Sequence, residues 1–493
     1  MAATRRNALA SIATAAAGIA VALIGTPLII DHVGKSGYGV WAISMAAVIY
    51  LGIVEAGFAP VVQRRVASAM GAGDQEGVVR VFWSTVLFYL ALGVLAAALV
   101  YLLAPVVVPV FGFPPSLEEQ SIALFRLVAL AIPLGLLMAA LTNALQGAER
   151  FQAVAVTAVF GAVAYLGTLV ALIQGGASLS QLGWAVIAQL LVLIVLRGAL
   201  VVGVALTRPR LVSRTEAREM ASMSARLQVS VASLIVNGQS DRVVAGLVSP
   251  AATVAQVSVA AQVAEAGRLV AAAPLVPAAN RFAALEGAGD HEALRRLFTS
   301  SDRLWSSAVA GAVAIGALCA VPLVEAWLGD SFLEAGVFAA VLVIAYGASV
   351  AFGVRTALLR AIGRPGLESR TGLLLMALNL GFTVPLALAF EAPGVVAGTL
   401  LAYLAGSTWF ASRFHRVAPE FEPARIAQVA APLAWGIVFG SLACAWCLGA
   451  VALVPAGWAL IPVAVGMAAA AAAFLRFGLG TSPRELFRSL GGE

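Results

Sequence analysis

The sequence predicts an all-α polytopic membrane protein of about fourteen transmembrane helices, built as two parallel six-helix repeats followed by a C-terminal helix pair. Three observations predict it. The first is composition. Of 493 residues, 61% are hydrophobic and 11% charged, with a mean hydropathy of +0.98, outside the range of soluble globular domains. The second is spacing. Charges cluster between apolar runs of roughly 20 residues or more, the length that crosses a bilayer as helix. The third is a fragment that occurs twice. Arg64–Phe82 reads RRVASAMGAGDQEGVVRVF and Asn280–Phe298 reads NRFAALEGAGDHEALRRLF. Without gaps the copies share Arg65/Arg281, Ala67/Ala283, Gly71–Asp74/Gly287–Asp290, Glu76/Glu292, Arg80/Arg296 and Phe82/Phe298. Such internal similarity is typical of transporters assembled from two halves.

Backbone groups in lipid must pair within their own segment, so the apolar runs are expected to be helices. The short alternating segments of a membrane barrel are not seen. The runs are 8–30, 38–62, 81–107, 122–145, 153–173, 182–206, 227–248, 252–276, 304–328, 335–359, 371–390, 395–414, 426–450 and 458–477. The seventh is the most polar, with Asn237, Gln239, Asp241 and Arg242. Arg5 and Arg6 before the first run resemble a signal anchor more than a cleaved signal, because the run continues straight into a second span.

Every second connection is basic, for example Arg64, Arg65 and Arg80, then Arg150, then Arg208 to Arg226. The alternate ones carry almost no positive charge beyond Lys35, and several are acidic. By the positive-inside rule both termini are cytoplasmic. The two fragment copies are separated by an even number of spans, so both lie on the cytoplasmic side. The halves are then related by an axis along the membrane normal. Asp74 and Asp290 each follow Gly-Ala-Gly and precede a helical run, the position of an N-cap that accepts from free N–H groups. The expected organisation is a first bundle over 1–206, a basic cytoplasmic linker over 207–226 lying along anionic headgroups, a second bundle over 227–414, and a helix pair with a cytoplasmic tail over 415–493.

Composition also excludes functions. The net charge of +6 and pI near 9.6 come from basic residues spread over short loops, without the continuous patch and stacking aromatics of a nucleic-acid binder. No Walker motif supplies ATP hydrolysis. The outer loops are too short to carry catalytic residues. The three histidines, His32, His291 and His415, lack partners at metal spacing. Cys319, Cys444 and Cys447 lie in apolar runs and read as packing residues. A membrane enzyme is therefore disfavoured, no cofactor is expected, and work must come from a gradient.

Charges inside apolar spans cost about 2.5–3.5 kcal/mol each on insertion scales and usually face a cavity. The candidates are Glu55, Arg126, Arg197, Asp241, Arg242, Glu265, Arg268 and Arg355. Glu265 and Arg268 share a helix face and either neutralise each other in packing or meet a substrate. Arg126 and Arg355 lie near span ends, where snorkelling is the alternative. Arginine forks bind phosphate oxygens bidentately. A carboxylate such as Asp241, Glu265 or Glu55 could take a proton or sodium ion. Arg242, Arg268, Arg355, Arg197 and Arg126 are thus candidates for an anionic lipid head, and Asp241, Glu265 and Glu55 for ion coupling or gating.

Several segments together resemble the polysaccharide or O-antigen type flippases of the multidrug/oligosaccharidyl-lipid/polysaccharide (MOP) exporter superfamily. They are Gly34-Lys35-Ser36-Gly37-Tyr38-Gly39-Val40-Trp41, Glu55-Ala56-Gly57-Phe58 with Arg65 and Ala67, Leu145 to Phe151, Gln239-Ser240-Asp241-Arg242, Arg281-Phe282, and Arg360 to Arg364. Family members usually have Asp-Leu-Gly where this chain has Glu55-Ala56-Gly57. The resemblance implies a V-shaped, MATE-like fold of two bundles around a central cavity. It also implies alternating access and a polyprenyl-diphosphate-linked glycan moved from the cytoplasmic to the outer leaflet, with membrane lipids and other glycan-assembly membrane proteins as partners. A monomer in a bacterial inner membrane is expected, with H+ or Na+ as the coupling ion if transport is coupled. Peptidoglycan-precursor flippases and cation-coupled multidrug antiporters share the superfamily and stay open as alternatives.

Overall fold

A computed structural model describes residues 2–51, 53–201, 208–272, 275–455 and 458–480. Arg484 and Arg488 of the expected tail, and the 206/207 boundary, lie outside the described residues. Every regular element among those described is helical, and the chain divides into two compact units, 1–255 and 256–493.

Unit 1 begins with α1 (Ala2–Leu51), which contains two helices joined at Gly34, φ 70° and ψ 176°. That left-handed φ is cheap only for glycine. Then follow α2 (Ile53–Gly71), α3 (Gln75–Val107), α4 (Pro115–Gly147), α5 (Phe151–Gln174), α6 (Gly183–Leu200) and α7 (Arg214–Val248). Helix α8 (Ala251–Ala272) starts at the end of this unit. Phe82, Val86 and Tyr89 of α3 pack on Leu136, Ala140 and Leu141 of α4. A Cβ on Gly93 would stand 2.7 Å from Pro133 Cα, so these two backbones nearly touch. Leu95, Leu102 and Val106 point outward from α3 at 68–72% exposure, a surface suited to lipid rather than water.

The repeated fragment folds as its sequence predicts. Asp74 caps α3, accepting from the Gly77 N–H at 2.7 Å. Asp290 caps the helix after it in the same way, accepting from the Ala293 N–H at 2.9 Å. The glycine before each aspartate is left-handed, Gly73 at φ +69° and Gly289 at φ +71°. The Gly-Ala-Gly-Asp run is thus one helix stop and one helix start, made twice.

Most of the stretch expected as a linker along headgroups is helical. From Arg214 onward it is the beginning of α7, closed by a capping box between Ser213 and Glu216. The Ser213 backbone N–H and hydroxyl hold the Glu216 carboxyl below the usual carboxylate value. Met220 is buried among Val61, Val62, Val66 and Val81. Arg65 reaches Glu219 at 2.7 Å and Arg210 reaches Glu76 at 2.6 Å. Apolar burial and two ion pairs therefore hold the segment on unit 1. The seventh helix, expected to open the second repeat, packs with unit 1 as well.

Unit 2 contains most of α8, then α9 (Leu275–Gly287), α10 (His291–Leu328), α11 (Leu333–Val350), α12 (Gly353–Ala361), α13 (Gly366–Val417), α14 (Ile426–Leu453) and α15 (Leu460–Ala473), with a π-turn over Phe474–Gly478. Gln256 of α8 donates to the Ser331 carbonyl at 2.9 Å and accepts from the Ala335 N–H at 3.1 Å, fixing the start of α11. Its core is aromatic: Phe282, Phe298, Trp305, Phe410, Phe414 and Phe421. Phe298 stacks on Phe414 with centroids 5.8 Å apart and meets Phe421 edge-on at 5.4 Å. Helix α13 contains two helices that meet at Glu391, φ 54° and ψ −132°. Helices α14 and α15 pack on α10, with Cys319, Ala443, Ala470 and Phe474 buried between them. A Cβ on Gly436 would lie 2.6 Å from Gly311 Cα, so α14 and α10 are in backbone contact. Cys319 and Cys447 are fully buried packing residues that form no disulfide.

Ten stretches among the described residues are long and apolar enough to cross a membrane. This count differs from the expected fourteen for two reasons. Two of the stretches, Ala16–Ala46 and Gly366–Val417, run through the breaks at Gly34 and Glu391. Helices α7 and α8, the seventh and eighth runs, are too polar to be counted by apolarity.

Candidate substrate and coupling sites

Glu55, in the first turn of α2, is half-buried. Its Oε1 accepts from Asn143 Nδ2 at 3.2 Å, and its backbone carbonyl accepts from the Tyr89 hydroxyl at 3.4 Å. Asn143, on α4 and 3% exposed, also accepts from Gln63 Nε2 at 3.0 Å. The same nitrogen donates to Gln146 Oε1 at 2.9 Å. A carboxylate and three carboxamides thus form one hydrogen-bonded ladder between α2 and α4.

Arg197 stands in the last turn of α6, 4% exposed, where a cation is favoured by the helix dipole. Its Nε donates to Thr157 Oγ1 at 3.0 Å and its Nη1 to Thr142 Oγ1 at 2.6 Å. Further contacts go to Met138 Sδ and the Val154 carbonyl. Thr142 and Asn143 are adjacent on α4, about 100° apart on a helix, so one helix offers Arg197 and Glu55 different faces. Arg126, also on α4, lies over the Tyr101 ring with 5.0 Å to the centroid. Its Nε is buried without a partner.

The polar stripe of α7 is buried. Asn237, Ser240 and Asp241 are each at most 3% exposed. Arg242 donates from Nη1 to Gln239 Oε1 at 2.6 Å. Its Nε is buried and makes no bond, and Asn237 Oδ1 is likewise buried without a donor.

In unit 2, Arg268 and Glu265 form a fork on α8, Nε to Oε2 at 2.8 Å and Nη2 to Oε1 at 2.6 Å. Both side chains are more than a third exposed, 38% and 40%. Arg355 is committed elsewhere. It grips Asp302 through Nε at 2.9 Å and Nη2 at 3.0 Å, with the two side chains 8% and 0% exposed. Its guanidinium also lies over the Phe352 ring at 4.8 Å. Asp302 additionally accepts from the Ala424 N–H at 2.8 Å. Snorkelling to headgroups is therefore not what Arg355 does: it is a buried brace between α10, α12 and the segment leading to α14.

Unit 1 brings together Glu55 with Asn143, Gln63 and Gln146, and unit 2 brings together Glu265 with Arg268. Arg197, Arg126 and Arg355 each stand in separate surroundings. Sequence reasoning missed Asp302, Asn143 and Gln63. The signal for Asn143 was available, since it and Gln146 are carboxamides three apart in an otherwise apolar run. No group of three metal-ligating side chains occurs among the described residues.

The chain matches the polysaccharide biosynthesis protein family over residues 33–337, more than half of its length. No curated protein sequence matches it significantly. Its fold is similar to that of the lipid II flippase MurJ in an inward closed conformation, with a TM-score of 0.71 at 12% identity, covering 95% of this chain and 98% of that one. It is also similar to an inward-facing multidrug resistance MATE family transporter of the MOP superfamily, with a TM-score of 0.64 at 15% identity over 81% of this chain and 96% of that one. A third likeness is to a MOP superfamily transporter from Pyrococcus furiosus, with a TM-score of 0.57 at 14% identity, covering 84% and 96%. The protein therefore belongs to the polysaccharide biosynthesis protein family and is built on the multi-pass helical fold that MurJ and the MATE transporters share.

Proposed function

We propose that the protein is a flippase that moves a polyprenyl-diphosphate-linked oligosaccharide from the cytoplasmic to the outer leaflet of a bacterial inner membrane, by alternating access, with both termini in the cytoplasm. Membership of a polysaccharide biosynthesis family on a transporter fold supports this. The observation that carries it is Arg242. A guanidinium on a membrane helix with a buried Nε and no partner for it is costly. A diphosphate oxygen is a ligand that would satisfy it. Arg268, in unit 2, is a separate candidate phosphate contact, because its Nη1 is free of the Glu265 fork. Arg197 and Arg126 are secondary. Arg355 is weakest, because both of its forked donors are taken by Asp302. Glu55, Asp241 and Glu265 are the groups to which H+ or Na+ coupling is assigned.

The test is flipping of a polyprenyl-diphosphate-linked oligosaccharide in proteoliposomes, with lipid II as comparator. Wild type is expected to flip the oligosaccharide lipid, and Arg242→Ala, folded and at equal density, to lose most of that rate. Equal rates in the variant would remove Arg242 from the site. Flipping of lipid II alone, or proton-driven efflux of a cationic dye instead, would overturn the substrate assignment.

A further inference from the structure

We propose that the ladder of Glu55, Gln63, Asn143 and Gln146 is a hydroxyl-reading subsite for the sugar of the lipid-linked substrate. The inference rests on the flippase reading and adds to it the residues that recognise the glycan.

The argument is one of donors and acceptors. Within the ladder, Gln63 Nε2 serves two oxygens and Asn143 Nδ2 serves one. What remains unused is Glu55 Oε2, Gln63 Oε1 and Gln146 Nε2. None of these is among the buried polar atoms left without a partner, and Glu55, Gln63 and Gln146 are each half-buried, so each of these atoms keeps some exposure. Two acceptors and one donor therefore face outward from a fixed frame. Sugar hydroxyls both donate and accept, and they match such an alternation. A phosphate does not, because Glu55 would repel it and no arginine or lysine pairs with Glu55 among the described residues. A divalent metal ion does not either: the site has one carboxylate, and the Asn143 and Gln146 carbonyl oxygens already accept from Gln63.

The frame is rigid for a reason visible in the chain. Gly147 follows Gln146, and a Cβ there would stand 2.8 Å from the Gln63 carbonyl oxygen and from Val66 Cβ. Helices α2 and α4 thus meet at backbone distance beside the ladder. This closeness lets short carboxamides interlock and fixes their free ends before ligand arrives. Glu55 and Gln63 are two turns apart on one face of α2, about 12 Å along the helix. The row is then long enough for more than one sugar ring.

The test is binding to the purified full chain in detergent micelles, comparing undecaprenyl diphosphate with the same lipid carrying N-acetylglucosamine. Wild type is expected to bind the sugar-bearing lipid about tenfold more tightly, the scale of one or two ligand hydrogen bonds. Gln146→Met and Asn143→Leu are expected to bring the two affinities together while leaving that of bare undecaprenyl diphosphate within about twofold. Gln146 is half-buried and terminal in the ladder, so its variant decides the matter if Asn143→Leu fails to fold. Both affinities falling together would mark the ladder as structural and overturn the proposal, as would an unchanged preference. Wild type binding bare undecaprenyl diphosphate but showing no preference would overturn the subsite alone. Wild type binding neither lipid would overturn the flippase reading.

Discussion

Asp302→Ala is expected to be strongly damaging, although Asp302 itself is not a candidate substrate contact. It removes the carboxylate that neutralises Arg355 at 2.9 and 3.0 Å inside a nearly dry site. Stranding one member of a buried pair costs about 3–5 kcal/mol. The Ala424 N–H loses its acceptor as well, adding about 1–2 kcal/mol. At about 2–4 °C per kcal/mol for a unit of this size, the apparent melting temperature in detergent should fall by at least about 8 °C. The double variant Asp302→Leu with Arg355→Met removes both charges together. It should recover all but the Ala424 share, because an apolar pair of similar volume replaces a buried ion pair at little net cost. The assay is a thermal unfolding curve on monodisperse protein, followed by flipping in proteoliposomes. A single variant as stable as wild type, or a double variant as unstable as the single, would refute the account. A stable double variant that no longer flips would raise Arg355 from the weakest candidate to a substrate contact.

Three further outcomes are expected. Asp74→Ala and Asp290→Ala should each destabilise by about 0.5–2 kcal/mol, read as similar small shifts in melting temperature, since each removes one N-cap. Gly436→Val should cost about 1–3 kcal/mol through overpacking against Gly311, and limited proteolysis should then cut near the α13–α14 connection. Arg197→Met should be nearly neutral in melting temperature, because Thr142 and Thr157 keep their own carbonyl acceptors at 2.7 and 2.8 Å. Loss of flipping at unchanged stability would assign Arg197 to substrate, whereas a large stability loss would show that the cation braces unit 1.

Much of the fold was legible because lipid allows few solutions. Apolar length marked the helices, and the duplicated Gly-Ala-Gly-Asp run marked two capped helix starts that the structure reproduces. The boundary between packed units was not legible. Repetition places α7 in the second half, but Met220 and Glu219 tie its first turns to α2, and such tertiary contacts leave no periodic signal. Charges were legible as unusual, but their partners were not. Arg355 gave no hint of Asp302, which is 53 residues away in the chain. Glu55 drew attention as a charge, while the carboxamides around it, neutral and scattered, did not. A single sequence marks what is expensive to bury and says little about who neutralises it.

The glycine contact between α14 and α10 bears on how the chain is made. Gly311 and Gly436 leave no room for a lipid tail between the two helices. Helix α10 is inserted with α11, α12 and α13 still to follow before α14 emerges. Until α14 packs there, the Gly311 face of α10 is an open seam in the second unit.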